Sequence, residues 1–139
     1  MRNIIFLFLF LNNCFSSEEI PILPEKDPEI KWENKTVQEN DPEVRSFCKK
    51  INKEFLNYGW GESRCEYFKW NHVRNSKNGD PLMWFSFGDE KNHKNTTLIL
   101  CGVHGDEITP NKFCFDIIYH LERYSTLYKD QFILVAPFV

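Results

Sequence analysis

Residues 97–107 read TLILCGVHGDE and place an imidazole and a carboxylate, His104 and Glu107, with two residues between them. An imidazole nitrogen and a carboxylate oxygen both suit Zn2+, and a catalytic zinc takes three protein ligands and keeps one position for water. Zinc lowers the pKa of water toward about 7 and polarises a carbonyl oxygen. That chemistry hydrolyses an amide or peptide bond, given a general base near the water and a donor or cation for the oxyanion. Only two ligands are adjacent here, so a third must come from elsewhere. Spacing alone is weak evidence, because H-x-x-E arises by chance, and Asp106 and Glu107 suit a helix N-terminus without any metal. Context points further. Gly102 and Gly105 permit tight backbone geometry around the histidine. An apolar strand pattern precedes the motif and a helical pattern follows, and sites in open α/β sheets lie beyond the carboxyl ends of strands.

The elements that must position this pair can be read outward from it. Residues 97–101 form a short continuous apolar run, as expected of a central strand buried on both faces. Thr109-Pro110 caps and opens a helix to about Tyr124, with Phe113, Ile117 and Leu121 on one stripe and Ile118 beside it. Residues 131–139, QFILVAPFV, read as a second buried strand. Strand, helix, strand implies a parallel pair with a right-handed crossover. Upstream, residues 66–74 (EYFKWNHVR) and 82–87 (LMWFSF) are strand-like and flank Asn78-Gly79, the strongest short hairpin signal. A helix begins near Asp41-Pro42-Glu43, where Asp41 can cap and Pro42 suits the first helical position. Val44, Phe47, Ile51 and Phe55 then recur at helical spacing. The class is α/β: a mixed sheet holding a βαβ unit and an antiparallel hairpin, with no internal repeat.

The rest of the chain is organised around this body. Residues 1–17 begin with Arg2 and continue into the apolar run 4–11, the layout of a secretory signal peptide. The plainer alternative is a buried strand or helix. The run falls short of the roughly 20 residues that span a bilayer. Leu11-Asn12-Asn13-Cys14 resembles a lipoprotein cleavage box, which would anchor the chain by lipid at Cys14, although Asn13 is a poor match. Residues 18–41 are acidic, hold Pro21, Pro24 and Pro28, and read as a flexible or extended linker. Residues 42–139 form the remaining unit. Export permits disulfides. Cys48 and Cys65, in polar surroundings, are the expected pair, and Cys101 and Cys114 are expected as buried free thiols. A net charge of −3 without a basic run gives no reason to propose nucleic acid. The sequons at Asn34 and Asn95 matter only in a host that glycosylates exported proteins.

LILCGVHGDEITP closely resembles the first zinc-binding motif of the metallocarboxypeptidase family, including its murein-peptide amidase branch. Ser76-Lys77-Asn78-Gly79-Asp80-Pro81-Leu82 is similar to that family's S-x-x-G-x-P-hydrophobic segment. ILVAPFV resembles the strand that leads there into N-P-D-G. The resemblance covers about residues 70–139. It implies the carboxypeptidase fold, of which this chain is the N-terminal part, with His104 and Glu107 as the first two Zn2+ ligands and Asp106 structural. It implies a peptide substrate, with cell-wall peptide as one class, and a periplasmic or extracellular location. The family's third ligand and general base lie downstream of the matched residues, so no catalytic residue is assigned and the chain is expected to be a truncated fragment. His72, His93 and His120 read as ordinary surface or partly buried histidines. The tryptophans Trp60, Trp70 and Trp84 read as packing rather than a groove. Two other readings stand beside this one. One is an N-acyl amino acid deacylase resembling the succinylglutamate desuccinylase and aspartoacylase group, which is mainly cytosolic. The other is a non-catalytic secreted module.

Overall fold

The structure, a computed structural model, describes residues 28–104 and 107–138. The export segment 1–17 with Cys14, the first ten residues of the linker, and Asp106 lie outside the described residues.

Two helices and four strands form a mixed α/β fold. Helix α1 spans Pro42–Asn57 and β1 spans Asn71–Asn75. Strands β2 and β3 span Pro81–Phe87 and Asn95–Leu100, followed by α2 (Ile108–Arg123) and β4 (Gln131–Ala136). The sheet order is β1-β2-β4-β3. β1 and β2 form the antiparallel hairpin, β2 pairs antiparallel with β4, and β3 pairs parallel with β4. The βαβ unit is therefore β3-α2-β4. The hairpin turn is residues 76–80: Gly79 takes φ +87°, and the Gly79 amide donates to the Ser76 carbonyl at 3.0 Å. No described helix is long and apolar enough to cross a membrane.

Helix α1 starts where Pro42 places it, with Asp41 as N-cap, although the Asp41 side chain makes no capping bond. Its buried face is Val44, Phe47, Cys48, Ile51 and Phe55, the helical stripe of the sequence with Cys48 added. That face and α2 enclose the core against the sheet face that carries Met83, Phe85, Ile133 and Val135. The Phe115 ring sits among Phe55, Trp70, Tyr119 and Phe138. The Tyr119 hydroxyl donates to the Ser63 carbonyl, and burial pushes its pKa well above the usual tyrosine value. The Cys48–Cys65 disulfide joins α1 to the 3-10 turn Cys65–Tyr67.

Several expectations need correction. Residues 66–74 are not one strand: a 3-10 turn occupies Cys65–Tyr67 and β1 begins at Asn71. Trp70 explains the break, since it is buried and its indole N–H donates to the Cys65 carbonyl at 2.8 Å. Strand β3 is the edge of the described sheet, and Leu98 and Leu100 are 60% and 52% exposed. An apolar run does not say which strand lies in the middle, and here β4 takes that place between β2 and β3. On α2 the buried residues are Asn111, Cys114, Phe115, Ile118 and Leu121, whereas Phe113 is 63% exposed. Ile118 and Leu121 are buried as expected and Ile117 is partly so, but Phe115 and Cys114 take the place expected of Phe113. Residues 28–41 carry one 3-10 turn, Trp32–Asn34, and otherwise no regular element, and they are held against the body. Trp32 packs on Phe68 and Tyr119.

Asn40 is the polar anchor of that segment. It is 5% exposed, donates from Nδ2 to the Phe68 carbonyl at 2.9 Å, and accepts from the Trp70 amide at 2.9 Å. Asn40→Ala leaves both backbone groups buried without a partner, at a cost of about 1–3 kcal/mol. A chemical denaturation midpoint should fall accordingly. An unchanged midpoint would show that the segment is not anchored there.

Candidate metal site

Strand β3 continues one step past its end, where the Cys101 amide donates to the Ala136 carbonyl at 2.9 Å. The chain then leaves the sheet through Gly102. This residue has φ +64°, and a Cβ there would lie 2.3 Å from Asn111 Oδ1 and 2.9 Å from the Pro137 carbonyl oxygen. Glycine is required on both counts: left-handed backbone and close approach of α2. Val103 and His104 emerge exposed. The Glu107 amide donates to the His104 carbonyl at 3.0 Å, so the two candidates close one turn. Glu107 is the N-cap of α2, with extended backbone and no side-chain capping bond. The helix thus starts two residues earlier than Thr109-Pro110 suggested, and Pro110 falls in the first turn, where its missing N–H costs nothing.

The pair therefore stands on the turn between the carboxyl end of a parallel strand and the N-terminus of the crossover helix. Both residues are exposed, and among the described residues neither side chain has a hydrogen bond or ion-pair partner. A carboxylate that is not spent on its own helix end and an imidazole with no partner remain available as donors. Nitrogen and oxygen donors of this kind suit Zn2+. The fit is to half a site, because among the described residues no group of three or more His, Cys, Asp or Glu is placed to hold a metal.

The other histidines are engaged elsewhere. His72 faces Asp41 and Asn75, His93 bonds Thr96 Oγ1 and the Asp89 carbonyl, and His120 bonds the Tyr128 hydroxyl. A shallow cleft between α1 and the hairpin is lined by residues including Phe47, Lys50 and Asp80, and neither His104 nor Glu107 borders it.

The cysteine assignment also changes. Cys101 and Cys114 are joined in a disulfide, with Cα atoms 6.2 Å apart. Their apolar surroundings suggested free thiols, but apolar burial does not distinguish a thiol from a half-cystine. The even number of cysteines beyond the export segment was the available signal. Asn111 had no signal in the sequence: it is 3% exposed, and among the described residues its Oδ1 has no hydrogen-bond partner while it lies against Gly102. Comparison with known proteins finds no family model that matches this chain and no curated protein that matches it.

Proposed function

We propose that this chain carries part of the metal site of a zinc-dependent hydrolase of peptide or amide bonds, of the metallocarboxypeptidase type and similar to its murein-peptide amidase branch. The observation that carries the reading is the exposed His104–Glu107 pair, unengaged among the described residues, on the turn from a parallel strand into a helix. In this reading His104 and Glu107 are two of the three protein ligands of Zn2+. When bound, the metal supplies a Lewis acid that polarises the scissile carbonyl and makes water a nucleophile near neutral pH. The third ligand, the general base and the oxyanion donor come from outside the described residues. The carboxypeptidase fold belongs to the same proposal, and the β3-α2-β4 unit with its antiparallel hairpin is compatible with it. The substrate is a peptide, with cell-wall peptide as one class, and the net charge gives no reason to propose nucleic acid as a partner.

Two disulfides within one small body support an exported protein, periplasmic or extracellular, because such bonds persist in oxidising compartments. A lipid anchor at Cys14 is compatible with that location. The same bonds weigh against the mainly cytosolic deacylase reading. The non-catalytic reading is an outcome of the test. Purified chain is titrated with Co2+, whose absorption bands report on the ligands, and then with Zn2+. Weak binding is expected from two ligands, abolished by His104→Ala and reduced by Glu107→Gln. Absence of binding, or binding that survives His104→Ala unchanged, overturns the reading.

A further inference from the structure

We propose that the Cys101–Cys114 disulfide is a positioning element for the metal pair: it holds the His104–Glu107 turn at ligand spacing and thereby sets the affinity of the site. The inference rests on the zinc reading above.

The two half-cystines bracket both ligands. Cys101 is the first residue after β3, and Cys114 lies in the second turn of α2, with a sequence separation of 13. His104 is tied to the strand through Gly102 and Val103, while Glu107 is the first residue at the helix. Their mutual position therefore depends on how the end of β3 sits against the start of α2. Among the described residues β3 is supported from one side: all six of its residues pair with β4 and Ile99 packs against the core, while the Leu98 and Leu100 side chains are mostly exposed. The disulfide is the second tether. It is buried, with Cys101 7% and Cys114 0% exposed. Beside it, Asn111 on the same helix presses against Gly102, which shows how closely the helix approaches the base of the turn. Zinc accepts nitrogen and oxygen donors only within a narrow distance range near about 2.0–2.2 Å. A turn free to open must be ordered at the moment of binding, and that ordering is subtracted from affinity.

The molecule supplies its own control. Cys48–Cys65 closes a similar stretch, with a separation of 17, but joins α1 to the Cys65–Tyr67 turn. Removing it costs overall stability without touching the strand-to-helix turn. The experiment titrates Co2+ into the full chain as wild type, C101A/C114A, C48A/C65A and His104→Ala. Titrations run at a temperature where circular dichroism shows each to be folded. Alanine replaces cysteine because freed thiolates are themselves zinc ligands. C101A/C114A should weaken binding by roughly tenfold to a hundredfold, the range seen when groups that orient metal ligands are removed. C48A/C65A should leave it unchanged. Should C101A/C114A fail to fold, Cys101→Val with Cys114→Ala refills the vacated volume and carries the same comparison. Wild-type affinity in the variant lacking Cys101–Cys114 overturns the proposal. Equal weakening in both double variants also overturns it, by showing a global effect. Binding that is indifferent to His104→Ala instead removes the zinc reading, and this inference falls with it.

Discussion

Gly102→Ala is expected to destabilise the fold by about 2–5 kcal/mol and to displace the His104–Glu107 turn in the molecules that remain folded. Two costs combine. The backbone at φ +64° is left-handed, which charges an L side chain roughly 1–2 kcal/mol. The added Cβ would also meet Asn111 Oδ1 at 2.3 Å and the Pro137 carbonyl oxygen at 2.9 Å. The Asn111 side chain is itself buried, and the Pro137 carbonyl belongs to backbone. Gly79→Ala isolates the first cost. Gly79 has φ +87°, and nothing lies within 4 Å of a Cβ built there. The difference between the two variants in denaturant midpoint therefore measures the close approach of α2 to the base of the turn. Equal losses would mean that α2 does not press on Gly102. Because the turn moves with Gly102, Co2+ affinity should fall in Gly102→Ala and stay at the wild-type value in Gly79→Ala.

Phe115→Ala should cost about 3–5 kcal/mol, the usual range for removing a fully buried phenylalanine. Its ring is 0% exposed and lies edge-on to Phe55 at a centroid distance of 5.3 Å, with Trp70 at 5.7 Å. Phe55 belongs to α1, while Trp70 leads into β1. The ring thus joins three parts of the chain, and no small shift closes the space it leaves. Set against an ordinary domain stability of about 5–15 kcal/mol, this loss should be plain in thermal or chemical unfolding. Phe113→Ala is the comparison. Phe113 is 63% exposed on the same helix, and its removal should change stability by no more than about 0.5 kcal/mol. The reverse ranking would mean that α2 is rotated from the phase described, with Phe113 turned inward in place of Phe115.

That comparison also marks where reading the sequence stops. Local chemistry was legible where the cause is local. Pro42 and the spacing of Val44, Phe47, Ile51 and Phe55 located α1 and its buried face. Asn78-Gly79 marked the hairpin turn because one residue there must take positive φ. The strand-helix-strand pattern around residues 97–136 implied a parallel pair, since a crossover helix leaves that solution. The same pattern puts His104 and Glu107 on the turn between strand and helix.

What the tertiary structure decided are matters of which surfaces meet. An apolar run such as residues 97–101 shows that a strand has apolar faces but not its neighbours, and among the described residues β3 is the edge while β4 lies between β2 and β3. Helical periodicity on α2 admitted two phases, and the choice of Phe115 over Phe113 required knowing where Phe55 and Trp70 stand. Trp32 looked like part of a loose linker because its partners, Phe68 and Tyr119, are remote in sequence. The Cys101–Cys114 bond depends on a 6.2 Å approach of strand and helix across the turn, which no spacing rule contains. The sequence by itself determined the two donors and the turn that carries them. How firmly that turn is held was decided by the fold, through a buried disulfide and a helix pressed onto Gly102, because contact distance is a property of packed surfaces and not of residue order.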